Sequence, residues 1–598
     1  MSAPARVVFA LLVVATFAAF FVAQRLKHSP TVLQQVTGAL VFSPNGDGRQ
    51  DVLRVGFQLK RADVISVDVL DEAGDPLRSL VDDRRLAAHR QVVVRWNGRD
   101  DQGRRVPDGR YRLEVTLRDE SRTVIIRHAY RVDTVPPVPR IVALDPPHGA
   151  GPELLPNATH RVVIHTAPAG AAPEVLIFRT SFGAPRQVAR LAVSERTAVW
   201  DGRIAGAPAP AGTYVAVARW RDRAGNVGSS VPLDPRTHAP ALRYGERFAP
   251  GGGITVRYLE VQPPTMPTAA GRLFPVGVDA RGARYSWDLR ALGSVRPVRH
   301  GVTRHTPLKL SAPRGRSGLY LFEARAGGRT ASVPVAVNGT STGKVLVVLP
   351  MMTWQGRNPV DDDGDGAPDL LDRGVGVRSE RVFARGLLPA GFRAQEGPLL
   401  AFLARHHRSF DITTDIALAA GRGPTLAGHH GVILPGDVRW LPHGLQLSLR
   451  DYVRRGGTLL LTGTDSLRRE VVLARNGTLR APTPAAPTNL FGTRLRSVVT
   501  EPTSLTSLRD DIGLFTGGVY GGTGTFTGYR GHESTAGLGR EETLAANAVT
   551  PDGQSVLVAA RFGRGLEIRT GLLDFATRLK ADGNAAALVL RAWSLLAG

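Results

Sequence analysis

The chain has 598 residues, which is several times the length of an ordinary domain, and 42% of them are apolar. Basic residues number 76 and acidic residues 52, so the net charge is +24, and there is no cysteine. The absence of cysteine excludes disulfides, thiolate zinc sites and cysteine nucleophiles. The arginines are scattered along the whole chain instead of clustering on one element, which argues against a nucleic-acid-binding protein.

The N-terminus carries an uncharged apolar run, VVFALLVVATFAAFFVA at residues 7–23, which has the minimum length of a membrane-spanning helix. A cleaved signal peptide is the alternative, but Phe21 is bulky where a cleavage site requires a small residue. We therefore predict that residues 1–27 form a cytoplasmic tip and a transmembrane anchor. Long domains translocate largely regardless of flanking charge, so the rest of this single-pass protein is expected outside the cytoplasm.

Residues 28–340 show short stretches of alternating apolar and polar residues between turns rich in glycine and proline, which is typical of antiparallel strands. The segment RWNGRDDQGRRVPDGRYRLEV at 95–115 is repeated as VWDGRIAGAPAPAGTYVAVAR at 199–219, and more weakly as SGLYLFEAR at 317–325. The spacing of the copies, about 100 residues, is the length of one immunoglobulin-like (Ig-like) sandwich. We predict three such β-sandwich domains, at 28–135, 136–236 and 237–340.

The first two copies of this repeat resemble the Ig-like domain of the flagellar hook-capping protein, a module that is common on bacterial surface proteins. The resemblance implies an assembly or spacer module without catalysis. Trp96 and Trp200 begin the two copies, and a large ring is expected to fill the core of each sandwich. An aromatic platform for a ligand is the alternative.

The first predicted sandwich opens with VFSPNGDGRQD at 41–51, which resembles the start of some exported Ig-like modules. Asn45, Asp47 and Asp51 place oxygen ligands at odd spacing, and Gly48 permits a sharp turn, as in half of a calcium loop. We predict a second, weaker calcium site here, with a metal-free turn as the alternative.

Beyond residue 341 the pattern changes to short apolar runs separated by helix-like segments. KVLVVLP at 344–350, GVILPG at 431–436 and GGTLLLTG at 456–463 are predicted to be buried parallel strands. The segment HGLQLSLRDYVRRGG at 443–457 places Leu445, Leu449, Tyr452 and Val453 on one helical face, and the segment 396–407 also suits a helix. Strands that alternate with helices indicate an α/β fold for residues 341–598.

An acidic segment, VDDDGDGAPDLLD, follows the first of these strands at residues 360–372. Its carboxylates occupy positions 1, 3, 5, 9 and 12 of a calcium loop, with glycine at position 6 and aspartate where glutamate is usual at position 12. So many carboxylates would repel one another without a cation, so we predict a structural calcium, with a bare acidic loop as the alternative. The predicted ligands are Asp361, Asp363, Asp365, Asp369 and Asp372.

These runs, together with FDITTD and LRDYVRRGG, resemble the C-terminal domain of the N,N-dimethylformamidase large (beta) subunit over about residues 341–598. The resemblance implies a class I glutamine-amidotransferase-like, flavodoxin-like fold. In that amidase, tyrosine and carboxylate side chains hold an iron. The corresponding strand end here reads Asp437-Val438-Arg439-Trp440, without the tyrosine, so the iron site is not carried over.

Four further residues are candidates for chemistry. Asp465 and Ser466 follow a predicted strand, but the sequence there lacks G-x-S-x-G, and a loop end or helix cap is the alternative. His532 and Glu533 end a glycine-rich stretch, 515–534, that has the length of a lid or binding loop.

The sequence as a whole favours a membrane-anchored, extracytoplasmic bacterial surface protein. Its Ig-like stalk would present a non-catalytic, calcium-stabilised α/β domain. The expected partners are the membrane, through the N-terminal helix, and an anionic cell-wall polymer or another surface protein, without nucleic acid. The alternative is a hydrolase of amide or glycosidic bonds that uses the cleft of the C-terminal domain.

Overall fold

The computed structural model describes residues 8–598 with short gaps. The residues left out within that range are 10, 21–31, 146–152, 155–160, 169–170, 244, 247, 250, 316 and 340–341. The described chain divides into two compact units. One contains the residues up to Arg140 together with Pro168–Glu174 and Arg219–Ser229, and the other contains Ile141–Ala167, Val175–Ala218 and Ser230–Gly598.

The predicted transmembrane helix is wrong for the part of the chain that the structure describes. Residues 8–9 and 11–20 are helical, but no described helix is both long and apolar enough to cross a membrane. The predicted cytoplasmic tip at residues 1–7 lies outside the described residues.

The first unit is built around two sheets that enclose one hydrophobic core. Their strand orders are β1-β3-β6 and β2-β9-β7-β4-β5, with β8 paired to β7. In β6 buried and exposed residues alternate strictly, which places Val92, Val94 and Trp96 in the core. The strands are β1 Leu33–Gly38, β2 Val41–Phe42, β3 Leu53–Leu59, β4 Asp63–Leu70, β5 Pro76–Leu86, β6 Gln91–Trp96, β7 Gly109–Leu117, β8 Arg122–Ile125 and β9 Tyr130–Val132.

A second sandwich follows, with strand orders β10-β12-β15 and β11-β20-β18-β13-β14, and with β19 paired to β18. The long central strand β18 has a nearly continuous buried run from Thr213 to Ala218. The strands are β10 Arg140–Asp145, β11 Glu153–Leu154, β12 Val162–Ala167, β13 Ala171–Arg179, β14 Arg186–Ala192, β15 Thr197–Trp200, β16 Arg203–Ile204, β17 Ala207–Pro208, β18 Gly212–Arg221, β19 Val227–Ser229 and β20 Gly253–Val256.

The repeated motif has the same local geometry in both sandwiches. The Trp96 and Tyr111 ring centroids are 5.1 Å apart, and those of Trp200 and Tyr214 are 5.2 Å apart. Each indole N–H donates to a carbonyl three residues later, and each tyrosine hydroxyl donates to the carbonyl of a proline four residues earlier. Both tryptophans are buried, which confirms the predicted core role.

The third β region contains a five-stranded sheet, β22-β29-β28-β25-β26, and two strand pairs, β21-β24 and β23-β27. Its core is continuous with that of the C-terminal region, and Asn338 exchanges two 2.8 Å hydrogen bonds with the backbone of Ile412. The strands are β21 Glu260–Val261, β22 Thr268–Ala269, β23 Leu273–Val276, β24 Val278–Asp279, β25 Tyr285–Ala291, β26 Arg299–Thr303, β27 Leu308–Ser311, β28 Gly318–Ala326 and β29 Arg329–Asn338.

The C-terminal region is organised by one eleven-stranded sheet. Its main path runs β32-β30-β33-β35-β45-β44-β43-β40-β41. The first five strands are parallel and the following ones are antiparallel. Strands β39 and β42 complete this sheet, while β31, β37 and β38 form a separate sheet and β34 pairs with β36. The strands of the region are β30 Val345–Leu349, β31 Val377–Arg378, β32 Asp411–Thr414, β33 Gly431–Leu434, β34 Trp440–Leu441, β35 Thr458–Leu461, β36 Arg469–Glu470, β37 Val472–Leu473, β38 Thr478–Arg480, β39 Arg494–Leu495, β40 Thr503–Asp510, β41 Thr525–Tyr529, β42 Thr535–Gly537, β43 Glu542–Val549, β44 Ser555–Phe562 and β45 Gly565–Arg569.

The predicted α/β domain with a glutamine-amidotransferase-like, flavodoxin-like fold is therefore wrong. Strands make up 42% of the structure and helices only 13%. Apolar runs and two helix-like segments suggested regular alternation, but the stretch 503–569 forms antiparallel strands instead of further strand–helix units. The helices of this region are α1 Met351–Gly356, α2 Glu396–Arg405, α3 Asp415–Ala419, α4 His443–Arg454, α5 Phe575–Arg578 and α6 Gly583–Ala597.

Candidate functional site

The acidic segment forms a tight loop between α1 and a short 3-10 turn at Leu371–Arg373. Three of its carboxylates, those of Asp361, Asp363 and Asp369, each place an oxygen within 4.8 Å of the others. Among the described residues, this is the one group of three acidic or histidine side chains so arranged. Carboxylate oxygens are the ligands that calcium prefers, so the loop presents half of a calcium coordination shell.

Backbone donors hold the first carboxylate of the loop in place. Asp361 accepts hydrogen bonds from the N–H groups of Gly364 at 2.7 Å and Gly366 at 2.9 Å. Both glycines have positive φ, 74° and 81°, a conformation that a side chain would strain. The glycines therefore allow the loop to wrap around its own carboxylate.

Two of these carboxylates are buried, and their negative charge is poorly compensated. Burial raises the pKa of Asp361 to about 8 and that of Asp369 to about 7, and neighbouring aspartates add to both shifts. In the described part of the chain, no basic side chain forms an ion pair with either carboxylate. Both nearby arginines, Arg378 and Arg381, pair with Asp362 instead. A bound cation would remove this electrostatic cost.

The same loop joins the C-terminal region to the second sandwich. Gly253 at the start of β20 donates to the carbonyl of Gly364 at 3.1 Å, and Thr180 donates to the carbonyl of Gly366 at 2.6 Å. Asp365 is not one of the three clustered carboxylates, and its side chain accepts hydrogen bonds from the backbone of Phe248 and Ala367. Asp365 therefore fastens the loop to its neighbour.

Asp372, the predicted ligand at position 12, is not part of the group. Its exposed carboxylate lies 3.5 Å from the guanidinium of Arg439 and 3.9 Å from that of Arg357. The structure thus brings together positions 1, 3 and 9 of the loop and directs positions 5 and 12 elsewhere. Asp372 lies within the 3-10 turn Leu371–Arg373, which the chain enters after position 9.

The predicted second calcium site lies in an exposed turn of the first unit. Asp51 accepts from the N–H groups of Gly46 at 2.6 Å and Gly48 at 2.7 Å, while Asn45 and Asp47 each accept from the backbone two residues ahead. These are the local hydrogen bonds of an aspartate turn. Similar backbone hydrogen bonds surround Asp361 and Asp363 in the acidic loop.

A separate charged network lies at the carboxyl ends of β33 and β35. Its ion pairs range from 2.6 Å for Arg469–Asp465 to 3.9 Å for Arg357–Asp372. The network contains four arginines and four carboxyl groups. Its members are Arg357, Arg439, Arg468, Arg469, Asp372, Asp437, Asp465 and Glu533.

Two of the four candidate residues for chemistry meet in this network. Glu533 accepts from the backbone N–H of Asp465 at 3.1 Å, and burial raises the pKa of Glu533 to about 7. The hydroxyl of Ser466 forms structural hydrogen bonds instead: it accepts one from the backbone N–H of Val438 and donates one to the carbonyl of Thr464. Burial lowers the pKa of His532, and the charges that oppose this shift are those of Asp552 and Glu501, outside the network.

Two buried carboxylic acids were not singled out by the sequence analysis. Glu396 and Asp415 are each 1% exposed, and burial raises the pKa of each to about 8. Each is an acidic residue in the first turn of a helix, which is a common solvent-exposed pattern. Only the packing around them distinguishes these two residues from ordinary helix-terminal acids.

No family model and no curated protein matches this sequence. Similar solved structures include a GH42 β-galactosidase from G. stearothermophilus, with 12% identity and a TM-score of 0.23 over 40% of this chain. The chain spans 29% of that enzyme. Another similar structure is the tetra-tandem repeat of a large adhesion protein, with 16% identity and a TM-score of 0.17 over 52% of this chain and 76% of that one. A third is the structure of the four N-terminal Ig domains of Dscam1, with 13% identity and a TM-score of 0.14 over 51% of this chain and 73% of that one.

Proposed function

We propose that this protein is a non-catalytic binding protein, located outside the cytoplasm, in which Ig-like sandwiches carry a calcium-stabilised C-terminal region. The observation that supports calcium is the group of three carboxylate oxygens from Asp361, Asp363 and Asp369 within 4.8 Å of one another. Extracellular calcium is millimolar, which suits a site with few carboxylates and a low affinity. The proposed partner is an anionic cell-wall polymer or another surface protein.

Calcium at this position would stiffen the protein because the loop carries structural hydrogen bonds on its other side. The carbonyls of Gly364 and Gly366 and the side chain of Asp365 all bond to the second sandwich. When the carboxylates are neutralised, the loop keeps the shape that those bonds require. The cation would therefore stabilise the attachment of the sandwich as well as the loop.

The test is calcium binding by the full chain after treatment with a chelator. We expect elemental analysis to find bound calcium after dialysis, and the melting temperature to rise when calcium is added. If free calcium is a hundredfold above its Kd, the folded state gains about 2.7 kcal/mol. Protein without bound calcium and with an unchanged melting temperature at 5 mM calcium would refute the proposal.

Two variants separate the observed geometry from the sequence pattern. Asp363→Asn removes a carboxylate of the group, whereas Asp372→Asn removes the exposed carboxylate that pairs with Arg439. We expect the first to lose most of the calcium response and the second to keep it. Equal loss in both variants would indicate a conventional twelve-residue loop instead of the three-carboxylate site.

A hydrolase is the second candidate, and Glu533 is the observation that favours it. A carboxylic acid with a pKa of about 7 can donate or accept a proton near neutral pH, as a general acid or base does. The test is an assay of the purified protein with chromogenic amides and glycosides, alongside Glu533→Gln. Turnover that Glu533→Gln abolishes would support the enzyme, and no turnover would leave the binding protein as the function.

A further inference from the structure

Three arginines converge on a cavity that the aspartates of the acidic loop do not line, although Thr180, the neighbour of Arg179, donates a hydrogen bond to that loop. The cavity has a volume of about 440 Å³ and lies where β13 of the second sandwich, the β28–β29 hairpin and the turn at Ala384–Gly386 meet. Arg179, Arg329 and Arg385 all line it. Within the described residues, none of the three forms an ion pair with a carboxylate.

The acidic residue on the cavity wall does not balance these charges. Glu260 lines the cavity, but it already forms an ion pair of 3.8 Å with Arg257. The wall therefore carries an excess of positive charge. Burial lowers the pKa of Arg385, and the like charge of Arg179 adds to that shift.

Aromatic rings hold two of the guanidinium groups in position. The guanidinium of Arg385 lies 3.7 Å from the ring centroid of Phe182, and that of Arg329 lies 3.3 Å from the ring centroid of Tyr258. Stacking on a ring engages the face of a guanidinium and leaves its N–H edge available for a bidentate bond. The edge of a stacked arginine matches the geometry of carboxylate and phosphate oxygens.

Two local features indicate that this arrangement has a cost that a ligand could offset. The Nε atom of Arg179 is buried and has no hydrogen-bond partner. Arg385 adopts a left-handed backbone conformation with φ of 65°, which is uncommon for a residue other than glycine and is often found at functional sites. Arg179 therefore keeps one unsatisfied donor beside the 3.4 Å hydrogen bond from its Nη2 to the carbonyl of Ala211, and Arg385 holds a strained backbone conformation.

We propose that this cavity binds the anionic group of a sugar-sized ligand, a carboxylate or phosphate carried on a saccharide unit. The volume suits one or two sugar rings, and the three arginines supply charge-assisted hydrogen bonds to the anionic group. This inference assigns a ligand class to the proposed binding role. It does not require calcium, because none of the loop aspartates lines the cavity.

The experiment is isothermal titration calorimetry of the full chain at low salt, with and without chelator. The probes are glucose 6-phosphate, glucuronate, inorganic phosphate and glucose. We expect the two charged sugars to bind and glucose not to bind. Equal binding of glucose, inorganic phosphate as tight as glucose 6-phosphate, or no binding of any probe would each overturn the proposal.

Variants place the binding at this cavity. We expect Arg329→Gln and Arg385→Gln each to weaken binding at least tenfold, since each removes a charge-assisted contact. Arg393→Gln, at an exposed arginine that does not line the cavity, is the matched control and should bind as the wild type does. Unchanged binding in the first two variants would overturn the assignment. Protein that binds calcium but no anion would overturn this inference and leave the cation site intact.

Discussion

The carboxyl group of Glu396 should make the stability of the second unit depend strongly on pH. Its Oε1 accepts a 3.0 Å hydrogen bond from the Trp354 indole, while its Oε2 is buried without a partner. Burial raises its pKa from 4.5 to about 8, with a smaller contribution from the charge of Asp437. In the unfolded chain the group ionises near its ordinary pKa, so the two states bind different numbers of protons between these values.

The sign follows from the raised pKa of the folded state. The contribution of Glu396 is fully favourable below about pH 4.5 and is lost as the pH rises toward 8. Over that interval the free energy of unfolding falls by about 1.4 kcal/mol per pH unit, or about 5 kcal/mol in all. Above pH 8 the folded state carries the full penalty of a buried charge.

Glu396→Gln keeps a hydrogen-bond acceptor for Trp354 and removes the ionisable group. At pH 5 we expect the variant to be less stable by about 1–3 kcal/mol, because the new amide N–H₂ is buried without an acceptor. At pH 8.5 we expect it to be more stable than the wild type by a few kcal/mol. The two curves of stability against pH should therefore cross.

The assay is urea unfolding of the full chain at pH 5, 6, 7, 8 and 8.5, followed by tryptophan fluorescence. The wild type and Glu396→Gln are compared with Glu72→Gln, at an exposed position in the first unit. Asp415 is also buried and has a raised pKa, but it is present in all three proteins and cancels in the differences. Parallel curves for Glu396→Gln and the wild type would refute the reasoning.

Four further substitutions test the packing of the fold by thermal unfolding. Gly463→Ala should lower the melting temperature, because the added Cβ would lie 2.1 Å from the backbone of Gly436. Gly444→Ala, which adds a Cβ in open space on α4, should raise stability by about 0.5–1 kcal/mol. Equal effects of the two substitutions would contradict this reasoning. Asp582→Ala should cost about 1 kcal/mol, since Asp582 caps α6 by accepting from two backbone N–H groups; an unchanged melting temperature would show that the cap is dispensable. Trp96→Ala should cost about 3–5 kcal/mol in the first unit by emptying its core, and a loss below 1 kcal/mol would contradict the core assignment.

The repeats could be predicted from the sequence because their signal is local. A tryptophan, a turn and a glycine-x-tyrosine at fixed spacing produce the same hydrogen bonds in both sandwiches, so pattern and geometry agree. The acidic loop was readable for the same reason at positions 1, 3 and 9. The contact made by Asp372 at position 12 could not be predicted, because its partner Arg439 is distant in sequence.

The parallel strands β30, β33 and β35 could be predicted from their apolar runs, whereas much of the antiparallel half of the sheet could not. Strands β40, β41 and β43 are rich in threonine, serine, glycine and alanine, so they lack the apolar runs that identify buried strands. Long-range pairing, not intrinsic preference, makes them strands. The arginine cavity was invisible for a similar reason, since Arg179, Arg329 and Arg385 come from three separate elements.

The position of β45 has a consequence for how the protein is made. This strand lies between β35 and β44 and is the bridge between the parallel and antiparallel halves of the large sheet. Its partner β35 ends at Leu461, about a hundred residues before β45 begins. A ribosome must therefore deliver nearly the whole C-terminal region before the two halves can join. Until β45 is synthesised, the edges of β35 and β44 that pair with it stay open. We therefore expect chaperones to bind nascent chains that are arrested before Gly565.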